Sequence, residues 1–471
     1  MKNYDLIVVG AGPGGSTAAL TAAGAGMKTL LLERSRYPGE KNASGFALSS
    51  KAWRDFPFIK DMELPSMRMG RQAVAHILSP PPELEERFCI ASGPSRRMGY
   101  PEARDFFTVG MLRREFDQHL ADKAVEAGAE LRLTSLVNDL VWEKGRISGV
   151  CLEGGEEYRA PVIIGADGVM SATARLAGLR EKWRPDEVVS VCAVDYSAPR
   201  ERMDDVIHEA GFQAYFGPGI GGNYLISYAD GVHLGGPGVT NSLISRLACT
   251  RIKPARELLE TLAAPPTQRL LRAVEAVPRE WQVHCLPWMD RMPTSIYTGG
   301  LMLVGDAAGL PEPLYAEGVW QAMYSGRLAA QVAREVAEDG DASAASLKRY
   351  LDRLEESPVG REFVGGVQLR QLFELLGDPR ACGELTEAAV DLTVNMFMSA
   401  QEPKAECAAR FFPIVAENLP VLMEVAKIYL PMLLGIGGEK LRGRIAVLKG
   451  LGAMLGQMAG AGAVSGGEVE P

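Results

Sequence analysis

Asp5-Leu-Ile-Val-Val-Gly10-Ala11-Gly12-Pro13-Gly14-Gly15 opens the chain. The residues before Gly10 are apolar and largely β-branched, the pattern of a buried strand. The glycines then fall at the spacing GxGxxG, and Ser16 to Ala25 is alanine-rich and helical in pattern. Lys28-Thr-Leu-Leu-Leu-Glu33 is a second strand that ends on an acid. Strand, glycine turn, helix, strand and acid together spell a βαβ dinucleotide-binding opening. Each residue type has a physical reason. Gly10 allows the tight turn, Gly12 lets backbone approach a pyrophosphate, and Gly15 lets the helix pack close to the strand. Phosphates then meet free N–H groups at a helix N-terminus, where the helix dipole favours negative charge. Glu33 is placed to accept from ribose hydroxyls.

The whole chain, at 471 residues, is long enough for two or three domains. With 47% hydrophobic and 23% charged residues it is an ordinary globular composition. A net charge of -9 disfavours a nucleic-acid partner, since phosphate binding wants a basic surface. The seven cysteines are scattered with no CxxC pair, which argues for free thiols in a reducing compartment and against an iron–sulfur cluster held by this chain. A strand follows Met1 so closely that no signal peptide is expected. The five histidines, His76, His119, His208, His233 and His284, share no metal-ligand spacing, so no metal site is expected. Ile428-Tyr-Leu-Pro-Met-Leu-Leu-Gly-Ile-Gly-Gly438 is the nearest approach to an apolar span, but Pro431 interrupts it and it falls short of about 18 residues.

Further along, Met111 to Ala127 is helical, with Leu112, Phe116, Leu120 and Ala124 on one face and Gly128 as its stop. Glu130 to Leu152 alternates as strands around a turn at Lys144-Gly145, and Val162-Ile-Ile-Gly165 is a buried strand. Leu301-Met-Leu-Val304 is another, followed by a loop and a helix from Val319 to Asp339. The stretch from Arg34 to Gly110 reads as loop and irregular chain. A second GxGxxG, Gly217-Pro-Gly219-Ile-Gly-Gly222, leads into strand, turn and strand, so it is a hairpin lead-in and no phosphate cradle.

Two later segments identify the dinucleotide. Gly165-Ala-Asp167-Gly168-Val-Met-Ser171-Ala-Thr-Ala-Arg175 resembles the DGxxSxxR segment of the p-hydroxybenzoate-hydroxylase and geranylgeranyl-reductase flavoprotein superfamily. Gly305-Asp306-Ala-Ala-Gly309 resembles its second GD segment, whose aspartate bonds the ribityl chain of FAD. Arg113-Arg-Glu-Phe116-Asp117 resembles its RxxFD helix, which implies Arg113 near the cofactor phosphates. Pro313-Leu-Tyr315-Ala-Glu317-Gly318-Val319 resembles the segment that enters a helix whose N-terminus faces the flavin ring. Within the superfamily, Glu33-Arg34-Ser-Arg-Tyr37-Pro38-Gly39-Glu-Lys41-Asn42-Ala-Ser44-Gly45 is similar to the ERxxxPGxKNxxG loop of FixC-type proteins, relatives of electron-transfer-flavoprotein:quinone oxidoreductase. Gly221 to Gly235 and His284-Cys-Leu-Pro287 are similar to other FixC-type runs. Trp288-Met-Asp290 departs from the FixC-type pattern, and Pro313 to Gly318, with Tyr315 and Ala316, looks more like geranylgeranyl reductase; both bear on the electron acceptor.

The resemblance implies FAD as cofactor, held by Gly10, Ala11, Gly12, Pro13, Gly14, Gly15, Glu33, Arg34, Lys41, Ser44, Gly45, Arg113, Val137, Asp167, Gly168, Gly305, Asp306, Pro313, Gly318 and Val319. No nucleophile–base pair stands out, and Lys41, Tyr315 and Glu317 are the candidates for a catalytic role. Trp288, Trp320 and Tyr315 serve equally as pocket walls or as core. The implied fold class is α/β: a discontinuous Rossmann-like FAD-binding domain of the glutathione-reductase type, an antiparallel-sheet substrate domain and a helical C-terminal region. The FAD-binding domain takes residues 1–75, 105–187 and 286–345, and the sheet domain 76–104 and 188–285. Residues 346–459 form the helical region and 460–471 a disordered tail.

The leading expectation is a cytoplasmic FAD-dependent oxidoreductase of FixC type. It passes electrons from an electron-transfer flavoprotein to a quinone or a ferredoxin-like protein. Reduction of isoprenoid double bonds in the manner of geranylgeranyl reductase is the first alternative, aromatic hydroxylation the second, and a non-enzymatic scaffold the third. The C-terminal helices are either a cap on the FAD domain or a peripheral membrane contact toward a lipid-soluble quinone or isoprenoid.

Overall fold

The computed structural model describes residues 2–40, 47–49, 51–79, 83–92, 108–185, 187–217, 220–237, 254–314 and 316–376. Lys41, Ser44, Gly45, Tyr315 and everything after Leu376 lie outside the described residues, including most of the helical C-terminal region and the tail.

Two sheets organise the chain. In the first, β2 (Leu6–Val9) pairs in parallel with β3 (Thr29–Leu32) and β13 (Val162–Gly165). The order is β19-β20-β13-β2-β3-β9, with β9 at Glu130–Arg132, β19 at Tyr297–Thr298 and β20 at Leu301–Leu303. Every residue of β2, β3 and β13 is buried, as expected of a parallel sheet covered on both faces. The chain leaves this sheet repeatedly and returns, which is why its strands come from such distant sequence.

Helix α1 (Pro13–Gly24) lies against the sheet and against a long helix at Val319–Asp339. Their contact is backbone on backbone: a Cβ on Gly326 would lie 2.1 Å from the Gly14 carbonyl oxygen. The helix expected at Met111–Ala127 spans Arg113–Glu126, with Phe116, Leu120 and Ala124 buried. A four-stranded sheet joins this half, and its hairpin turns at Lys144 and Gly145, both at positive φ (49° and 79°), as a two-residue type I′ turn requires. Tyr350, on the helix Ala344–Glu356, donates its hydroxyl to the Leu303 carbonyl at 2.8 Å and ties that helix to the sheet end.

The second sheet has seven strands in the order β18-β14-β17-β16-β15-β6-β7, with β7 at Glu86–Ser92. Its central members are β14 (Val188–Ser197), β15 (Ala210–Gly217), β16 (Ile220–Tyr228) and β17 (Gly231–Pro237). The edge strand β18 is Val277–Pro287. Gly217 and Gly221 therefore sit on paired antiparallel strands, with Gly217 opposite Ile220 and no helix after them. The sheet is mixed, not wholly antiparallel: β15 runs parallel to β6 (Gln72–Leu78). A long crossover separates those two strands, and such a connection permits the parallel sense. Short strands also fill part of the stretch expected to be irregular, at Ala47–Ser49, Arg68–Gly70, Glu86–Ser92 and Thr108–Gly110.

The faces of this sheet differ. Val194, Leu225, Leu234 and Tyr215 point to one side and pack with Met203, Leu258 and Leu271 of the covering helices. Residues one step along, Phe212, Tyr224, Ile226 and Tyr228, point to the other side and meet Leu112 at the start of helix Arg113–Glu126. Farther along, Val189 and Leu286 meet Trp288 and Ala316 in the loop before Val319. This second face is turned toward the parallel-sheet half.

Candidate functional site

The glycine turn has the geometry its spacing demands. Gly10 has φ +102°, and a Cβ there would lie 2.4 Å from the Ala166 carbonyl oxygen. A Cβ on Gly15 would lie 1.8 Å from the Gly10 carbonyl oxygen. Both glycines are demanded by packing. Gly12 is different, because a Cβ there would meet nothing within 4 Å. Gly12 caps helix α1 without a side-chain hydrogen bond, and no acid lies in the first turn. The strand-end turn thus presents uncapped N–H groups into open space.

Glu33 is buried and spans the base of that turn. Its carboxylate accepts from the Ala11 N–H at 2.9 Å and from the Ser35 N–H at 2.8 Å. Arg34 next to it is exposed. Its charge, together with the larger effect of burial, holds the His284 imidazole below the ordinary histidine range. That coupling brings the end of β3 close to the edge strand of the second sheet.

Asp167 and Gly168 follow β13. The Asp167 carboxylate accepts from the Ser171 hydroxyl at 2.6 Å, the Thr173 hydroxyl at 2.7 Å and the Thr173 N–H at 2.9 Å. It therefore organises the start of the short helix Ala172–Leu176, where Ser171 is the N-cap. Gly168, at φ +77°, has open space where a Cβ would point. Val137 is buried at the first position of its strand (Val137–Glu143).

Arg113 does not stand alone as a phosphate-binding guanidinium. It makes a bidentate pair with Asp117 one turn along its own helix, at 3.0 Å for both contacts. It is also the charge that opposes burial at Asp306, whose carboxyl burial pushes up to about 6. Gly305 is at φ +55° and donates its N–H to the Ser325 hydroxyl at 3.1 Å. Gly318 closes in from the far side, where a Cβ would lie 3.2 Å from Asp306 Oδ1. The GD turn, Arg113 and the start of helix Val319–Asp339 thus converge on one place.

Pro313, Glu317, Gly318 and Val319 belong to the loop and helix start on that side. Ala316 sits at φ +57°, a left-handed conformation for a residue with a Cβ. Hydrogen bonds between Glu312 N–H and Glu317 O (2.8 Å) and between Ala316 N–H and Glu312 O (3.1 Å) close the loop. Glu317 pairs with Lys51 at 2.7 Å, and Lys51 also reaches Glu362 at 3.3 Å and lies over the Trp320 ring at 4.5 Å. Lys51 is 3% exposed and Glu362 0%. Glu317 is thus part of a buried ionic cluster that ties the loop to two other helices. Trp320 is core, its N–H donated to Asp55, and Trp288 donates its N–H to the Pro313 carbonyl.

Several residues of this region carried no sequence signal. Lys51 is one. Arg180 is another: its guanidinium lies 3.5 Å over the Trp183 ring, donates to the Ala307 carbonyl at 2.8 Å, and burial lowers its pKa to about 10. On the second sheet, His233 pairs with Asp195, and Asp195 with Gln282, on the face turned toward the loop. No group of three or more histidine, cysteine or acidic side chains able to hold a metal occurs among the described residues. No described helix is long and apolar enough to cross a membrane.

The open space at Gly12 and Gly168, the uncapped helix start and the half-buried Asp306 fit a dinucleotide flavin laid along the cleft. A model of FAD dependent oxidoreductases matches residues 5–187. Digeranylgeranylglycerophospholipid reductase 1 of Methanopyrus kandleri is 34% identical over 357 residues, 75% of this chain and 86% of that protein. Protein FixC of Bradyrhizobium diazoefficiens is 30% identical over 380 residues, 76% of this chain and 82% of that protein. Among solved structures, a geranylgeranyl bacteriochlorophyll reductase-like protein of Thermoplasma acidophilum superimposes with a TM-score of 0.67 at 24% identity, over 92% of this chain and 100% of that one. That likeness shows the fold.

Proposed function

The chain belongs to the FAD-dependent oxidoreductase family of the digeranylgeranylglycerophospholipid reductases and FixC proteins, and from that premise we propose that it reduces carbon–carbon double bonds of an isoprenoid lipid. The observation that carries this reading is the buried apolar face of the seven-stranded sheet. Phe212, Tyr224 and Ile226 of that face meet Leu112 at the start of helix Arg113–Glu126, and farther along Val189 meets Trp288 and Ala316, the latter in the loop that enters helix Val319–Asp339. Such a surface suits a long apolar molecule held away from water. The names of the relatives support the same substrate class.

Reduced FAD would supply a hydride to one carbon of the double bond while the other takes a solvent-derived proton, and would store two electrons between donor and substrate. The chain's own residues do the rest. Gly12 and the uncapped start of α1 would take the pyrophosphate, and Glu33, held by the Ala11 and Ser35 N–H groups, has lone pairs left that would accept from ribose hydroxyls. Asp306, kept close by Gly318, takes the ribityl hydroxyls. Gly168 leaves room for backbone approach. The first turn of helix Val319–Asp339 has no side-chain cap and no acid, so its N–H groups favour negative charge at the ring's position. The Lys51–Glu317–Glu362 cluster fixes that helix start in place. Trp288 and the sheet face exclude water from the substrate.

A second reading is electron transfer of FixC type to a quinone, with electrons arriving from an electron-transfer flavoprotein. It is favoured by FixC at 30% identity over 82% of that protein's length. Anaerobic stopped-flow separates the two. Protein reduced beforehand is mixed with a geranylgeranyl lipid or with a menaquinone analogue. Reoxidation by the lipid supports the reductase. Reoxidation by the quinone alone, with reduction by electron-transfer flavoprotein, moves the assignment to electron transfer.

A further inference from the structure

His233 is fully buried on β17 and has half of its hydrogen-bonding capacity met. Its Nδ1 lies 2.7 Å from Asp195 Oδ1 on the neighbouring β14, directly opposite in register. The other Asp195 oxygen accepts from Gln282 Nε2 on β18 at 2.9 Å. A carboxylate only accepts, so Nδ1 carries the proton; in that tautomer of the uncharged ring, Nε2 presents a lone pair. That Nε2 has no hydrogen-bond partner among the described residues. The Tyr224 ring stacks beside it, with centroids 6.3 Å apart and planes inclined by 28°.

Position gives this unmet nitrogen its meaning. Ile226 lies opposite His233 on β16 and shares its face, and Ile226 belongs to the cluster that meets Leu112. Asp195, Val191 and Val189 alternate along β14 on that same side, toward Trp288 and Ala316. The array therefore lies on the apolar face that meets Leu112, farther along β14 from the Val189 contact with Ala316, and not in the core beneath the covering helices. A buried, unsatisfied polar atom costs about 1–3 kcal/mol, which an apolar side chain would avoid. Three strands are used to hold the ring in one tautomer at that place.

We propose that His233 is the polar anchor of the substrate cavity, accepting a hydrogen bond at Nε2 from the hydroxyl group of an otherwise apolar, prenylated ligand. Asp195 is a positioning residue that fixes the tautomer, and Gln282 holds Asp195. The inference rests on the reading that this sheet face lines the substrate cavity. The hydroxyl can belong to a prenyl alcohol or to a prenylated phenolic ring such as a quinol, and the test distinguishes these sources.

The test is equilibrium binding to the full-length, oxidised, FAD-loaded protein, followed by calorimetry and by perturbation of flavin absorbance. The probes are geranylgeraniol, a prenylated phenol, the methyl ether of geranylgeraniol, and the hydrocarbon lacking oxygen. Wild type should bind at least one hydroxyl probe about ten-fold tighter than the ether or the hydrocarbon, the worth of one net hydrogen bond. Which hydroxyl probe gains identifies the source. His233→Phe should erase the advantage and leave hydrocarbon binding unchanged. Asp195→Asn, which keeps the shape, lets the ring carry its proton on Nε2 and should shift the preference toward the ether; this variant carries the test if His233→Phe does not fold. Equal binding of hydroxyl and hydrocarbon probes by wild type overturns the inference and leaves the cavity reading intact. So does an equal loss for all probes in a folded His233→Phe protein. Failure of every prenyl probe to bind removes the cavity reading and the inference together.

Discussion

The cofactor cleft and the sheet face that looks onto it handle their polar groups in opposite ways. In the cleft, Glu33 and Asp167 are satisfied by nearby backbone and hydroxyl groups of their own segments. On the sheet face, His233 is built into place by strands far apart in sequence and left with one nitrogen unmet. The cleft is thus a backbone shape that exists before any ligand arrives. The sheet face carries a polar atom, His233 Nε2, that no described residue meets. Cofactor recognition written in backbone can stay constant across a family, while recognition written in cross-strand side chains can change with substrate.

The largest effect expected bears on whether the two regions are separate at all. Gly15→Ala would set a Cβ 1.8 Å from the Gly10 carbonyl oxygen. It should destabilise the parallel-sheet half by more than about 4 kcal/mol. Pulsed proteolysis with mass mapping should find cleavage in that half before the seven-stranded sheet; simultaneous loss of both would dissolve the contrast. Gly12→Ala, in the same turn, meets open space and should change stability by no more than about 0.5 kcal/mol while weakening FAD binding.

Next is the buried ionic cluster that holds the loop between the regions. Lys51→Met removes the buried cation that Glu317 and Glu362 share and should cost about 3–5 kcal/mol in denaturant unfolding. A loss below 1 kcal/mol would mean that the cluster does not fix the loop.

Asp306 gives an effect of similar or smaller size with a pH signature. Its folded pKa of about 6 lies above the ordinary aspartate value of 3.8, so the folded FAD-free protein holds an extra proton between them. Stability attributable to this group is therefore highest below 3.8, falls as pH rises, and is fully lost above 6. Asp306→Asn should raise the stability of FAD-free protein by up to about 3 kcal/mol at pH 7.5 and by less at pH 5, while lowering FAD affinity. Urea titrations at the two pH values check this, and a gain independent of pH would contradict the burial argument.

The smallest effect concerns the sheet end beneath the cleft. Tyr350→Phe removes the hydrogen bond to the Leu303 carbonyl and should cost about 1–2 kcal/mol without altering FAD affinity. A large change in FAD affinity would extend the cleft's determinants to this helix.

The same contrast explains what was legible in the sequence. The glycine turn, the GD segment and the helix starts are local: a few consecutive residues set φ, close approach and helix entry, so spacing alone reveals them. Even there, Arg113 is committed to Asp117 and Asp167 to Ser171 and Thr173, side-chain choices that spacing does not encode. The His233–Asp195–Gln282 array joins residues 38 and 87 positions apart through strand register. A one-residue slip would send His233 to the opposite face, so nothing in the linear pattern distinguishes it from a core histidine. The parallel pairing of β15 with β6 was hidden for the same reason.

The most direct measurement is the mass of the lipid after anaerobic turnover. Protein reduced in stoichiometric amount is incubated with a geranylgeranyl lipid, and the lipid is extracted and weighed by mass spectrometry. The account predicts products heavier by one pair of hydrogens for each double bond reduced, in proportion to the flavin reoxidised. An unchanged lipid beside flavin that menaquinone reoxidises at once would contradict it.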